Sequence, residues 1–360
     1  MRASAPSKMS PSPDEKPDTP ALPSVAFSAN DPEGFQRAVE SHRKELLLHC
    51  YRSVGSMHDA EDMVQETFLR AWRGLSRFQG RSSVRSWLYR IATNVCLDAL
   101  SRRSASRRVF PDDLGGPTRR MPKGPPSTEV SWIEPFPDMA LEGVVDASPG
   151  PSIQYEQREA VRLAFISATQ RLPARQRAVL MLRDVLGWSA SETAGTLKMT
   201  VASANSALQR ARCTLETGLS REEISDAAGT DDSKNSIADR YAHAWESSDL
   251  KELVGLLAKD ATMVMPPWRL WYQGRSRIRT LFAWAWRVLS GGGTYKMVAT
   301  RANSQVAFGT YLKRPGEDKY HAHVFQVLTF QDGRIGRVTL FVGPEHFAKI
   351  GLAPTLDGTP

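Results

Sequence analysis

Cysteine is scarce in this chain of 360 residues, with only Cys50, Cys96 and Cys213. Three scattered thiols with no metal-ligand spacing exclude a disulfide framework and a zinc cluster, and each falls in a helical pattern, as reduced residues of a cytosolic protein do. Long apolar runs are missing too. Nothing approaches the roughly 20 residues that span a bilayer, and the N-terminus lacks the apolar core of a signal peptide. A soluble, cytoplasmic chain with no membrane partner is expected. Large apolar side chains are rare over residues 1–30, where Pro, Ser and Ala dominate; such a composition cannot repay the entropy of folding, so a disordered tail is expected. No constellation of His, Cys, Asp and Glu is specific enough to name a reaction, and no catalytic residue, metal or cofactor is assigned.

Negative charge is what residues 81–108 lack. Arg81, Arg85, Arg90, Arg102, Arg103, Arg107 and Arg108 have only Asp98 among them, whereas the whole chain carries 47 Lys and Arg against 39 Asp and Glu, net +8. A local field of that sign suits a polyanion.

The length allows two or three domains, and residues 31–108 read as all-helical. A first helix is expected over residues 35–53. In residues 59–73 (DAEDMVQETFLRAWR), Asp59 suits an N-cap and Asp62 the N3 position. Val64, Phe68, Ala71 and Trp72 form a helical stripe to be buried. Asp62, Gln65, Glu66, Leu69 and Arg73 are left on the opposite side. A longer helix from about Ser83 packs Val84, Trp87, Leu88, Ile91, Val95 and Ala99 and leaves Arg85, Arg90, Asn94 and Arg102 outside.

Residues 109–152 break the pattern with Pro, Gly and charge and read as a linker. Within it, WIEPFPD (132–138) is unusually aromatic, and its prolines favour an extended conformation. Trp132 and Phe136 could dock on a partner or on another part of the chain. A second helical unit, 153–217, has a helix over 155–170, a helix started by Pro173, then SASETAGTL, opened by a Ser-x-x-Glu capping box, and a helix over 200–215. In that last helix Ser203, Asn205, Ser206 and Arg210 point outward, while Val201, Ala204, Leu208 and Ala211 pack. After a polar stretch, 218–235, residues 236–352 form an α+β unit: helices over 236–247, 250–259 and 276–289, then strands over 295–300, 305–313, 320–330 and 334–342, the last two flanking Asp332-Gly333, a hairpin turn.

The order of these parts carries a resemblance. Residues 59–73 resemble the second conserved region of sigma-70 family initiation factors, in the extracytoplasmic-function (ECF) subgroup, where this helix grips RNA polymerase. Residues 78–103 (FQGRSSVRSWLYRIATNVCLDALSRR) resemble the segment that melts and captures the minus-ten element, with Asn94 at a position near a flipped base; Trp87 reads as core. Residues 200–215 resemble the recognition helix for the minus-thirty-five element. An Asn at 205 can bond adenine bidentately; Arg210 and Arg212 suit phosphate anchors. The third unit resembles the SnoaL-like, ketosteroid-isomerase-like cone, with pocket candidates Trp268, Trp271, Tyr272, Phe282, Trp286, His321 and His323, and Asp260 as a further contributor.

The resemblance implies two all-α sigma domains, the second with a helix-turn-helix, followed by an α+β cone. Its partners would be core RNA polymerase, bound by Asp62, Gln65, Glu66, Leu69 and Arg73, and promoter DNA, bound by Arg85, Arg90, Asn94, Arg102, Arg103, Ser203, Asn205, Ser206 and Arg210. The cone would act in regulation, through a small-molecule ligand or an intramolecular contact. The competing readings are a helix-turn-helix regulator that works without polymerase, which has no need of residues 59–73, and an enzyme of the cone class fused to a DNA-binding module.

Overall fold

The computed structural model describes residues 31–78, 80, 82–102, 107–144, 151–218 and 231–358. The expected disordered tail, Arg81 and Arg103 therefore lie outside the described residues.

The first unit holds α1 (Pro32–Glu40), α2 (Arg43–Val54), α3 (Met57–Gly74) and α4 (Val84–Arg102). The single helix expected over 35–53 is two, divided at Ser41-His42. Helix α3 starts earlier than its sequence pattern indicated: Ser56 is the N-cap, its side chain accepting from Asp59 N. Asp59 is thereby moved to N3, where it is buried and paired with Arg108 at 2.6 Å. The stripe is also narrower than expected. Val64 and Ala71 are buried, but Trp72 is 42% exposed and lies against the Phe35 ring, centroids 5.2 Å apart.

The second unit comprises α5 (Pro151–Glu159), α6 (Leu163–Gln170), α7 (Ala174–Leu180) with a π-type turn over Met181–Val185, α8 (Ala190–Leu197) and α9 (Val201–Gly218). The helix expected over 155–170 breaks between α5 and α6. Pro173 is the N-cap of α7 and not its first helical residue. The capping box is present, with Ser189 and Glu192 bonded reciprocally. Thr200 accepts from Ser203 N at 3.1 Å and so opens α9.

The third unit has α10 (Asp231–Glu246), α11 (Leu250–Leu256), β1 (Leu257–Val264), β2 (Trp271–Gln273), α12 (Arg275–Val288), β3 (Thr294–Ala302), β4 (Gln305–Lys313), β5 (Lys319–Gln331), β6 (Arg334–Val342), α13 (Glu345–Lys349) and β7 (Thr355–Asp357). The strands form one sheet in the order β2-β1-β6-β5-β4-β3, with β7 on β5; β1 and β6 are parallel. Asp332 and Gly333 turn β5 into β6 with φ of 48° and 70°, the left-handed pair that a tight hairpin requires. Residues 257–259, expected to be helical, begin β1. The chain leaves α11 at Leu257, whose backbone is extended.

Both faces of this sheet are apolar. Val324, Leu328, Phe330 and Val338 pack with α10–α12 in one core. Phe325, Val327, Phe341 and Tyr311 join a second core, continuous with both helical units. Period-two alternation sends neighbouring residues of β5 to opposite sides, so the sheet needs two covers. Its own helices supply one, and the linker and helical half supply the other.

Of the contacts open to residues 132–138, the structure shows docking on the same chain. Phe136 is fully buried, with its ring centroid 4.6 Å from that of Tyr51. Its N–H donates to Asn303 Oδ1 at 2.8 Å, and its carbonyl accepts from Asn303 N at 2.9 Å. Asn303 Nδ2 in turn donates to Tyr51 Oη at 2.8 Å and to Val161 O at 2.7 Å. One asparagine thus joins the cone, the linker and both helical units. Trp132 is a lesser contact, half-buried, with its carbonyl accepting from Arg108 at 2.6 Å. Glu134 caps the start of α3, accepting from Met57 N at 3.1 Å. Asp112 is paired with Arg337 of β6 at 2.6 Å. Burial alone would raise its carboxyl, but the guanidinium holds it below the ordinary value.

Phe136→Ala is expected to cost about 3–5 kcal/mol, the range for removing a fully packed phenyl ring, measured as a loss of unfolding free energy in urea. A cost below about 1 kcal/mol would show that the linker is only loosely seated.

Candidate nucleic-acid interface

Three helices present the residues singled out in the sequence. On α3, Asp62, Gln65 and Arg73 are exposed, and Leu69 is an apolar residue 52% exposed in the middle of that polar face. Glu66 is half-buried and bonds Arg70 at 2.7 Å, and Arg70 reaches Asp98 of α4 at 2.7 Å. This bridge fixes the α3 surface relative to α4. With Trp72 also at the surface, the face offers two apolar contacts within a polar frame, the mixture that protein interfaces use.

On α4 the expected basic face is partly spent inside the molecule. Arg85 bonds Glu45 at 2.7 Å and lies over the Tyr89 ring at 5.0 Å. Burial would raise the Glu45 carboxyl, but bonds from His42 and Arg85 hold it below its ordinary value. Arg90 is half-buried, near enough to Glu192 of α8 to help lower that carboxyl, after the Ser189 hydrogen bonds. Arg107 is paired with Asp113 at 3.0 Å, and Arg108 with Asp59. The reading of Asp98 as the one counter-charge to this cluster is therefore corrected: Glu45, Asp59 and Glu134 come from further away in the chain and Asp113 from just beyond the segment. Asn94 and Arg102 remain exposed. Asn94 Nδ2 donates to Arg90 O at 2.8 Å, which leaves its amide oxygen directed away from the helix backbone. Trp87 packs against Phe78, ring centroids 4.7 Å apart, in keeping with its reading as core.

On α9, Ser203, Asn205, Ser206 and Arg210 are all exposed, while Ala204, Ala207, Leu208 and Ala211 are buried. Val201 departs from the expected packing and is 45% exposed. Arg212 is held by Asp184 through two bonds of 2.7 and 2.9 Å. It braces α9 against the π-type turn and is less available as a phosphate anchor than Arg210.

The two helical units touch each other through buried arginines that sequence patterning did not single out. Arg177 donates to Ser53 O and to Gln170 Oε1 at 2.7 Å. Arg52 donates to Gln157 O at 2.7 Å and Ala160 O at 3.2 Å. Burial pushes both guanidiniums down to about 10, so both stay charged at neutral pH. An arginine in a helical pattern reads as surface, and nothing local distinguishes these.

The cone residues do not converge on one site. Trp271 Nε1 donates to Gly115 O and Tyr272 Oη to Arg120 O, each at 2.7 Å, so both hold the linker. Trp268 Nε1 donates to Gly124 O at 3.3 Å. Deeper in the core that also holds Tyr272, Trp245, Phe282, Trp286 and Tyr295 pack ring to ring at 5.2–5.9 Å, and His323 lies 6.2 Å from Tyr295. His321 is exposed, although it lies two residues from His323 on β5, and Asp260 is exposed on β1. Among the described residues no group of three or more His, Cys, Asp or Glu is placed to hold a metal ion. No described helix is long and apolar enough to cross a membrane.

Three family models match the chain: Sigma-70 region 2 over residues 38–106, Sigma-70 region 4 over 157–215 and the SnoaL-like domain over 238–338. The ECF RNA polymerase sigma factor SigG of Mycobacterium tuberculosis is 42% identical over 326 residues, 89% of this chain and 85% of that protein. The ECF sigma factor SigW of Bacillus subtilis is 23% identical over 182 residues, 51% of this chain and 87% of its own length. Among solved structures, the ECF sigma factor SigJ of Mycobacterium tuberculosis has the same fold, with a TM-score of 0.55 at 22% identity, over 88% of this chain and all of that one.

Burial, with a smaller contribution from Arg314, pushes His323 down to about 4. The folded chain then keeps this imidazole neutral while the unfolded chain protonates it near 6.5. Below that pH the unfolded state binds the extra proton, so stability should fall as pH drops from 6.5 to about 4. His323→Gln should flatten this part of the curve in urea titrations across pH. An unaltered slope would mean that His323 is protonated in the fold. His49, fully buried and pushed down to about 3, leaves a residual slope in either case.

Proposed function

The chain belongs to the extracytoplasmic-function RNA polymerase sigma factors with a SnoaL-like C-terminal domain, and from that premise we propose a division of labour among its surfaces. It joins core polymerase through the α3 face of Asp62, Gln65, Glu66, Leu69 and Arg73. It captures an opened strand of promoter DNA at Asn94, with Arg102 on the backbone. It reads a second promoter element through Ser203, Asn205, Ser206 and Arg210 of α9. The observation that carries this reading is the surface of α9, where those four side chains form one exposed face over a seam of buried alanines. A helix with small residues behind and polar residues in front fits the major groove. Catching a strand at α4 needs no nucleotide hydrolysis, because an unstacked base offers its edge and face freely.

The SnoaL-like domain is regulatory in this proposal, and no catalytic role is assigned to it. Two elements near minus ten and minus thirty-five are about 25 base pairs apart, roughly 85 Å of duplex at about 3.4 Å per pair. Units joined through Arg52 and Arg177 cannot reach both elements at once. The linker clamped by Asn303 favours the joined arrangement, and polymerase and DNA favour the separated one. In the joined arrangement Arg85 is occupied by Glu45 and Arg90 is half-buried beside Glu192 of α8; separation would expose Arg90.

Asp62→Lys with Gln65→Ala should weaken association with core polymerase while helicity is kept. Asn94→Ala should lower strand opening, read by permanganate reactivity, and spare closed-complex binding; Asn205→Ala with Arg210→Ala should do the reverse. Equal defects of both DNA variants in both assays would refute the division. For the regulatory part, Asp112→Arg places like charges across the linker–sheet contact and should change transcription from a cognate promoter, with restoration by the swap Asp112→Arg/Arg337→Asp. Transcription indifferent to Asp112→Arg would remove the docked linker from regulation.

A further inference from the structure

A cleft of about 660 Å³ opens where the linker crosses the edge of the third unit. One wall is linker, with Arg120, Met121 and Lys123; the other is the chain between β1 and β2, with Trp268, Arg269 and Leu270. None of the readings above uses it. The walls are held together by Tyr272 Oη to Arg120 O, 2.7 Å, and by Ser127 N to Pro267 O, 3.1 Å, so the opening is formed before anything enters.

Its chemistry is uneven in a specific way. Among the described residues no carboxylate lies within ion-pair distance of the Arg120 or Lys123 side chains, and both are exposed. Arg269 has only Glu129, at 4.0 Å and 85% exposed. Three cations therefore converge on a hollow with at most one weak counter-charge. Trp268 is half-buried, with its indole N–H tied to Gly124 O, so the ring is oriented while part of its surface stays open. Met121 and Leu270 supply an apolar floor. An indole face, an apolar floor and a rim of cations together select a flat ring carrying negative charge. The volume lies within the range of small-ligand sites.

We propose that this cleft binds a nucleotide, with the base stacked on Trp268 and successive phosphates held one each by Arg120, Lys123 and Arg269. The nucleotide is either free or part of a single strand. Because the walls belong to linker and third unit, the site exists only while the linker is docked. The ligand and the docked arrangement then stabilise each other reciprocally.

The test uses the full-length chain and two probes: a fluorescent nucleoside triphosphate, and a labelled oligothymidine followed by anisotropy in an Asn94→Ala/Arg102→Ala background that silences α4. Binding of at least one probe is expected. Trp268→Ala should weaken it about tenfold, the scale of one lost base–aromatic stack; Trp268→Phe, which keeps a flat ring, should stay within about threefold of the parent. With three phosphate contacts, the log–log salt slope for the strand should be about −2. Arg120→Gln with Lys123→Gln, both at exposed positions where folding is spared, should reduce that slope to about −0.7. Binding of the triphosphate alone identifies a free nucleotide, and binding of the oligonucleotide alone identifies a strand. Binding of neither probe at millimolar concentration overturns the proposal. So does binding that both Trp268→Ala and the double charge variant leave unchanged, or a loss in Trp268→Phe equal to that in Trp268→Ala.

Discussion

The contact between Asn303 and Phe136 determines how the whole chain is arranged, because it joins parts that sequence separates by more than 160 residues. Asn303 sits in the β3–β4 turn at φ 56°, a left-handed conformation that asparagine tolerates better than most residues. From there its backbone and side chain satisfy both polar groups of Phe136, and its amide also bonds Tyr51 and Val161. All of this is buried. A buried amide left unpaired costs about 1–3 kcal/mol, so the linker, α2 and the start of α6 cannot move off this turn singly. The outer face of the sheet supplies the apolar half of the same constraint: Phe325, Val327 and Phe341 would face water if the linker and helices left.

The parts of the fold legible in the sequence were those in which local chemistry and tertiary burial agree. The Ser189–Glu192 capping box, the alternation that gave β4 and β6, the Asp332-Gly333 turn and the outward set on α9 each need only neighbouring residues to be recognised. Errors came where a distant partner overrode the local pattern. Asp59 has the chemistry of an N-cap, but Arg108 and Ser56 together place it one turn inside α3. Trp72 belongs to the apolar stripe by spacing, yet α1 covers only part of its ring. The run through Leu256, Leu257 and Ala258 is apolar without a break, and a fully buried strand cannot be told from a buried helix by periodicity alone.

The placement of the candidate residues was legible in the sequence, and their surroundings less so. The residues on α3 and α9 are where their helical phases put them. Those on α4 sit in a different electrostatic setting, because Glu45 is 40 positions from the Arg85 that it bonds. A count of charge along the chain saw seven arginines and one aspartate; folding brings four more carboxylates to them. The surroundings of the pocket candidates were hidden for a related reason. Aromatic richness marked the cone correctly as a place of contact, but Trp271 and Tyr272 spend their polar atoms on linker carbonyls, and the remaining rings fill the space between the helices and the sheet.

Arginine does two kinds of work in this molecule, and the difference bears on how it could change shape. Arg52 is buried against carbonyl oxygens of the opposite helical unit, whereas Arg177 reaches Ser53 O across the contact and bonds Gln170 and Leu172 of its own unit; both carry full charge into a dry contact. Separating the units would return the Arg52 guanidinium to water and cost Arg177 one of its bonds, and hydration recovers much of what those hydrogen bonds contributed. The Phe136 seat has no such compensation, because its exposure only adds apolar surface to water. The arginine bonds between the two helical units are therefore the weaker part of the assembly and the Phe136 seat the stronger one. A transition that opens the first while keeping the second would let the helical units part while the cone still holds the linker. Only a partner able to bind the linker itself, or to cover the outer face of the sheet, would complete the release.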